Sequence, residues 1–214
     1  MIRVILSALD GGQNGKTGPM VQVYVLPEEH PREAITKGTD TQVCGSCSRR
    51  STASGGDGSC YAAKGSAALA AASAWRKAAR ENRYLSPIPR KVRYPVRFGA
   101  YGDPSRIPAN WARELRAKAG RWTGYTEDWK THVGRGLSSW LMASVNSSHE
   151  RKLAKALGYR TFRVLAKGET LEPGEIACPA SKEAGNRTQC SRCLLCDGKR
   201  GPSDHRKDVA IQKH

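Results

Sequence analysis

Tyr94-Pro-Val-Arg-Phe-Gly-Ala100, Arg121-Trp-Thr-Gly-Tyr-Thr126, Leu141-Met-Ala-Ser-Val145 and Arg160-Thr-Phe-Arg-Val-Leu165 are four short β-branched and aromatic runs, each of strand length. Between the first two, residues 104–118 carry a helical pattern with Ser105 near its start. Between the last two, Ser147 or Ser148 caps a helix over 149–157 that Gly158 stops. The middle gap, to about residue 138, is short and weakly helical. Strands spaced by helices predict parallel βα units with right-handed crossovers. Working outward, Glu175-Ile-Ala-Cys178 and Asp208-Val-Ala-Ile-Gln212 read as further strands, and residues 62–83 as an alanine-rich helix ending in basic residues. The expected fold is an α/β single domain over 1–214. Its core is a parallel (β/α) barrel of TIM type, complete or partial, with a cysteine-rich metal loop near the C-terminus. An open doubly wound sheet is the competing architecture.

Upstream of this alternation, residues 2–9 predict a strand, followed by the turn Asp10-Gly-Gly-Gln-Asn-Gly-Lys-Thr-Gly18. Its Gly15-Lys16-Thr17 ending resembles a phosphate-binding loop, but Gly11 is one residue too close, and such a loop must open into a helix. Met20-Val-Gln-Val-Tyr-Val-Leu26 is a strand pattern instead, so the turn is expected to join a hairpin. Residues 27–59 are polar and glycine-rich and read as a loop.

Lys and Arg number 36 against 19 Asp and Glu, a formal charge of +17. Such a surplus favours polyanionic partners, nucleic acid or an acidic protein, unless it only solvates the surface. Basic residues crowd from Arg76 to Arg121. No apolar run reaches the roughly 18 residues that span a bilayer, so no membrane partner is expected. The N-terminus reads as a strand, not a leader, which implies a cytoplasmic protein whose thiols stay reduced.

Seven cysteines in two groups then imply metal ligands. Cys190, Cys193 and Cys196 are spaced C-x2-C-x2-C, with Cys178-Pro179 upstream, the pattern that wraps a cubane in bacterial-type ferredoxins. Zinc also takes four thiolates, usually as two separate C-x2-C pairs. Cys44-x2-Cys47-x12-Cys60 forms a second group. Three thiolates on a cubane leave one iron open for a substrate or cofactor. The alternatives are buried free thiols, a zinc site pairing Cys44 and Cys47 with Cys190 and Cys193, or one cluster with ligands from both groups. Small polar residues follow the strands at Gly102, Asp103, Tyr125 and Ser144, where a barrel keeps its active site. Asp103 and Ser147 are equally ordinary helix caps.

Taken in order, Cys44-Gly-Ser-Cys47, Ser59-Cys60-Tyr61-Ala62-Ala63-Lys64, Arg97-Phe-Gly-Ala-Tyr-Gly-Asp103, Thr123-Gly-Tyr-Thr126 with Trp129, Ser144, and Cys178 with Cys190, Cys193, Cys196 and His214 resemble a family of uncharacterised bacteriophage proteins. That family is called after gene product eighty-eight of mycobacteriophages. Its Cys-Tyr-Ala and Gly-Asp elements are similar to those of radical S-adenosylmethionine enzymes, which use a (β/α) barrel and a three-cysteine open cluster. This chain departs from that superfamily's C-x3-C-x2-C, and has Gly102-Asp103 where Gly-Gly-Glu is usual. The resemblance implies a phage origin, hence the host cytoplasm, one or two [4Fe–4S] clusters, and S-adenosylmethionine as a co-substrate. Gly102 and Asp103 would then bind cofactor, and Asp103, Tyr125 and Ser144 would line the substrate cavity. Three functions follow: a viral redox enzyme with one-electron or radical chemistry, a non-enzymatic redox or structural cluster protein binding nucleic acid or a host partner, and a zinc-stabilised basic module.

Overall fold

The computed structural model describes residues 1–12 and 14–213. Strands β1 (Ile2–Ser7) and β2 (Val21–Pro27) pair antiparallel, Ile2 opposite Pro27 and Ser7 opposite Gln22. The glycine turn is therefore the hairpin connection expected. Gly11 sits in it at φ +96°, where a Cβ would stand 2.9 Å from Pro19. Beyond β2 come α1 (Pro31–Lys37), α2 (Thr41–Cys44), α3 (Gly65–Arg80), β3 (Val96–Tyr101), α4 (Ala109–Ala119), β4 (Trp122–Thr126) and β5 (Met142–Val145). The chain continues through α5 (Ser148–Ala156), β6 (Thr161–Leu165), β7 (Glu175–Ala177), α6 (Cys190–Cys193) and β8 (Asp208–Gln212).

Two segments differ from the sequence reading for local reasons. The polar stretch 27–59 contains α1 and α2. His30 caps α1 by accepting the Arg32 amide, and Gly38 stops it in the left-handed region at φ 74°. The helix expected from residue 104 begins only at Ala109, because Pro108 holds Ile107 extended; residues 104–106 form one tight turn capped by Asp103.

All eight strands lie in one sheet, ordered β1-β2-β3-β4-β5-β6-β8-β7, with only β1 and β2 antiparallel. From β2 to β6 the strands follow chain order without the reversal that marks a doubly wound sheet. Right-handed crossovers that all step one way carry their helices to one face. β1 and β7 are the sheet's edges, and among the described residues no ladder joins them.

Strand alternation sorts the two faces. On the helix face, Val21, Val23 and Val25 of β2 and Val96 and Phe98 of β3 pack with Ala71 and Ala78 of α3 and Trp111 and Leu115 of α4. Leu115 is fully buried, so its truncation to alanine costs about 2–5 kcal/mol. A separate cluster joins Met142, Val209 and Ile211 to Tyr125, Phe162, Cys178 and Cys196. Gly124 lies where β4 is pinched: a Cβ would meet Leu141 at 2.5 Å and Phe98 at 3.2 Å. Under β6 to β8 a buried ion network replaces apolar packing. Arg163 forks onto Glu175 at 2.9 and 2.7 Å, and Arg151 reaches Asp208 at 3.1 Å. Among the described residues no helix is long and apolar enough to cross a membrane.

Candidate metal centre

All seven cysteines are free thiols, gathered in the two groups that their spacing defines. The first group belongs to the C-terminal edge of β3 and β4. Asp103, just past β3, donates its amide to the Val43 carbonyl at 2.7 Å, which fixes α2 and hence Cys44. Asp128, just past β4, receives the Ser46 amide at 2.9 Å, the Ser105 hydroxyl at 2.7 Å and Arg106 Nη2 at 2.7 Å. Ser46 stands between Cys44 and Cys47, so Asp128 clamps the C-x2-C turn. Gly45, at φ +56°, lies against that carboxylate and Arg106, and leaves no room for a Cβ. Burial raises the Asp128 carboxyl, but the hydrogen bonds from Ser46 and Ser105 and the Arg106 charge outweigh it and leave its pKa lowered.

Cys44 and Cys60 line a cavity of about 360 Å³ together with Tyr101, Gly102, Arg49 and Lys64. Cys47 is tied behind them, its amide on the Cys44 carbonyl at 3.1 Å. Burial pushes the Cys44 thiol up, with Cys60 and Cys47 adding to it. Burial likewise pushes Cys47 up to about 12, with Glu127 the next cause.

The loop of the second group is held largely by segments that precede strands, while Cys178 itself directly follows β7. Cys190 and Ser191 donate their amides to the Lys16 and Thr17 carbonyls at 3.2 and 2.8 Å, so the hairpin turn before β2 seats α6. Arg160, just before β6, donates to the Leu195 carbonyl at 2.6 Å, and Lys199 donates its amide to Ser138 at 2.7 Å. Gly124 of β4 donates to the Cys196 carbonyl at 2.8 Å. Cys178, Cys190, Cys193 and Cys196 line one small cavity with Thr123, Tyr125 and Val209. It holds about 20 Å³, room for roughly one water. Burial raises the thiol pKa of Cys178, Cys190 and Cys196. Tyr125 lines the same cavity as Cys196 and its hydroxyl favours the Cys196 thiolate, while burial followed by the charges of Cys196 and Cys190 raises the phenol's own pKa. Lys16 opposes the rise at both Cys178 and Cys190, and Arg97 opposes it at Cys190.

The candidates grouped by sequence are thus divided. Gly102 lines the first cavity, at φ +73° with its Cα packed on the Val25 backbone. Asp103 is buried; one oxygen takes the Ser105 amide at 2.9 Å and the other the Glu127 amide at 2.7 Å, so it ties β3 to β4. Ser144 donates to Glu127 Oε1 at 3.0 Å. Tyr125 belongs to the four-thiol cavity and stacks on Phe162 at 4.4 Å. Asp103, Tyr125 and Ser144 do not line one cavity. His214 lies outside the described residues.

Four residues escaped the sequence reading. Glu127 is buried, its pKa raised by that burial, and its Oε2 has no hydrogen-bond partner among the described residues; Lys130 approaches it at 3.8 Å. Asp128 is the clamp of the first group. They are the next two residues after Thr126, so the strand-end signal that marked Tyr125 extended to them. Arg97, on the inner face of β3, donates to the Tyr61 hydroxyl at 2.7 Å and is held above its ordinary pKa first by that tyrosine. Tyr61 follows Cys60, while Cys190 and Tyr125 also act on Arg97, so this cation stands between the groups. Lys16, read as a hairpin residue, faces the four-thiol group.

The four-thiol set fits a cubane by donor chemistry: only sulfur lines it as a ligand, and its walls are otherwise hydroxyl and apolar. Its volume of about 20 Å³ is far below a cubane's, so a cluster there would need the short loops to part. Among the described residues no three Cys, His, Asp or Glu side chains close on one point as a single-ion site would require. No protein-family model matches the chain, and no curated protein or solved structure matches it significantly.

Proposed function

We propose that this chain is an iron–sulfur protein of phage type, built on part of a (β/α) barrel. In this reading Cys178, Cys190, Cys193 and Cys196 hold one [4Fe–4S] cluster, and Cys44, Cys47 and Cys60 hold a second with one iron open. One observation carries it: the seven cysteines are free, Cys178, Cys190, Cys193 and Cys196 line one cavity, and Cys44 and Cys60 line another with the Cys47 amide on the Cys44 carbonyl. Such clusters supply one-electron transfer, and an open iron supplies a coordination position. Burial favours the protonated form of Cys44, Cys47, Cys178, Cys190 and Cys196, so binding a metal ion there would release protons.

The chain's own groups divide the remaining work. The Tyr125 hydroxyl beside the Cys196 sulfur, with Lys16 and Arg97 nearby, places positive charge where an anionic cluster gains by it. Asp128 orients the Cys44–Cys47 turn through Ser46. Glu127 holds its proton to higher pH than an exposed carboxylate and offers Oε2 beside Cys47.

Elemental analysis with an anaerobic absorption spectrum tests this reading. Brown protein with about eight irons per chain is expected from two cubanes. About four irons removes the open cluster, and colourless protein carrying zinc without iron ends the proposal in favour of the zinc-stabilised module. Cleavage of S-adenosylmethionine by the reduced protein is the assay for radical chemistry. The charge of +17 favours a nucleic-acid partner, checked by retention of DNA or RNA at low salt.

A further inference from the structure

The cavity over Cys44 and Cys60 has a charge that the cysteine chemistry does not account for. Arg49, Arg50 and Lys64 line it, against Asp40 as its one carboxylate. Asp40 is spent internally: Ser51 donates to both its oxygens, from the hydroxyl at 2.9 Å and the amide at 2.8 Å. Arg50 is spent too, with Nη1 on the Cys47 carbonyl at 2.6 Å and Nε on Ser54 at 3.0 Å. The other two cations are not. Arg49 donates to Asn146 through Nη2 and its charge reaches Cys47, Glu127 and Asp57, but Nε and Nη1 of its fork make no hydrogen bond among the described residues. Lys64 is exposed at the mouth and pairs with no other described residue.

A cationic pocket with two unspent donors selects an oxyanion, since a guanidinium fork matches carboxylate and phosphate geometry and a lysine adds a point charge. The volume of about 360 Å³ lies at the low end of small-molecule pockets, too little for a dinucleotide. We propose that this cavity binds a small molecule bearing a carboxylate or phosphate group, held by Arg49 and Lys64 with the rest of the molecule against Cys44 and Cys60. This names the ligand class of the three-thiol site and rests on that site being the open one.

The test is calorimetric titration of the anaerobically purified chain, with iron counted on the same sample. One arm uses inorganic pyrophosphate and the other succinate, both at about 0.15 M salt so that the remaining surface charge is screened. One probe is expected to saturate at a single site. Arg49→Gln and Lys64→Gln should each weaken it about tenfold or more, while Arg113→Gln, exposed on α4, leaves it unchanged. Failure of both probes to saturate, or equal binding in both pocket variants, overturns the proposal. Iron content separates the two readings: saturable binding to iron-free protein keeps the pocket and removes the cluster, and iron without binding does the reverse.

Discussion

The cavity at the three-thiol group is roomy and lined by cations, whereas the one at the four-thiol group is cramped and lined by apolar and hydroxyl side chains. About 360 Å³ lies over Cys44 and Cys60, against about 20 Å³ among Cys178, Cys190, Cys193 and Cys196. Their anchors differ as well. Carboxylates past β3 and β4 hold the first turn, while backbone carbonyls of the hairpin turn and the Arg160 guanidinium hold the second. Structural metal sites are closed and catalytic ones keep a position open. If both groups hold metal as proposed, the contrast would give fold support to the four-thiol site and chemistry to the three-thiol site.

The largest effect that breaks or upholds the contrast comes from removing one sulfur from each group. Metal affinity in a closed site is folding free energy. Cys196→Ala should abolish iron in the four-thiol site and cost several kcal/mol, enough to flatten the cooperative thermal transition seen by circular dichroism. Cys60→Ala, in the half-buried group, should lose only the open site's iron and keep the transition. Equal loss of folding in both variants would dissolve the distinction. Next comes Gly45→Ala, which puts a Cβ into the Asp128 carboxylate at φ +56°. Backbone strain and overpacking together cost about 2–5 kcal/mol. The expected outcome is a local one, iron lost from the three-thiol site with the other retained; an unchanged iron count would mean that Asp128 does not govern that turn.

Much of the frame could be read from residues alone. The alternation from Tyr94 to Leu165 foretold β3 through β6, and β8 appears at the bounds its residues predict. Period-two burial and a glycine or serine at each helix end are local signals, and local signals survive in a sequence. What stayed hidden depends on distant pairing. Nothing near Asp128 says that its carboxylate meets Ser46, 82 residues earlier. Nothing near Lys16 says that its carbonyl seats Cys190. Likewise, spacing grouped the cysteines, but the cavity that each group lines is a property of the sheet. Tyr125 and Ser144 illustrate the limit: both follow the strand-end rule, yet Tyr125 serves one site and Ser144 the other.

Smaller effects sharpen the contrast at the four-thiol site. Asp204 accepts Arg206 Nε at 2.9 Å and pairs with its Nη2 at 2.6 Å, just beyond the cysteine loop, and those bonds hold its carboxyl well below the ordinary range. A lowered folded-state pKa contributes stability above the unfolded value of about 3.9 and loses it as pH falls through the folded one. Asp204→Asn should thus cost about 1.5–3 kcal/mol at pH 7, and the gap from wild type should close as denaturation is followed toward pH 2. A gap independent of pH would trace the loss to packing instead of charge. Tyr125→Phe is the mildest change. It removes the hydroxyl that favours the Cys196 thiolate and leaves the ring on Phe162, so at most about 1 kcal/mol of stability is at stake. Hydrogen bonds to sulfur set cluster potential. The midpoint of the four-thiol site should fall when this donor is lost, while the three-thiol site, which Tyr125 does not line, keeps its own. A shift at both sites would show that Arg97 links them electrically, and the two sites would then have to be treated as one centre.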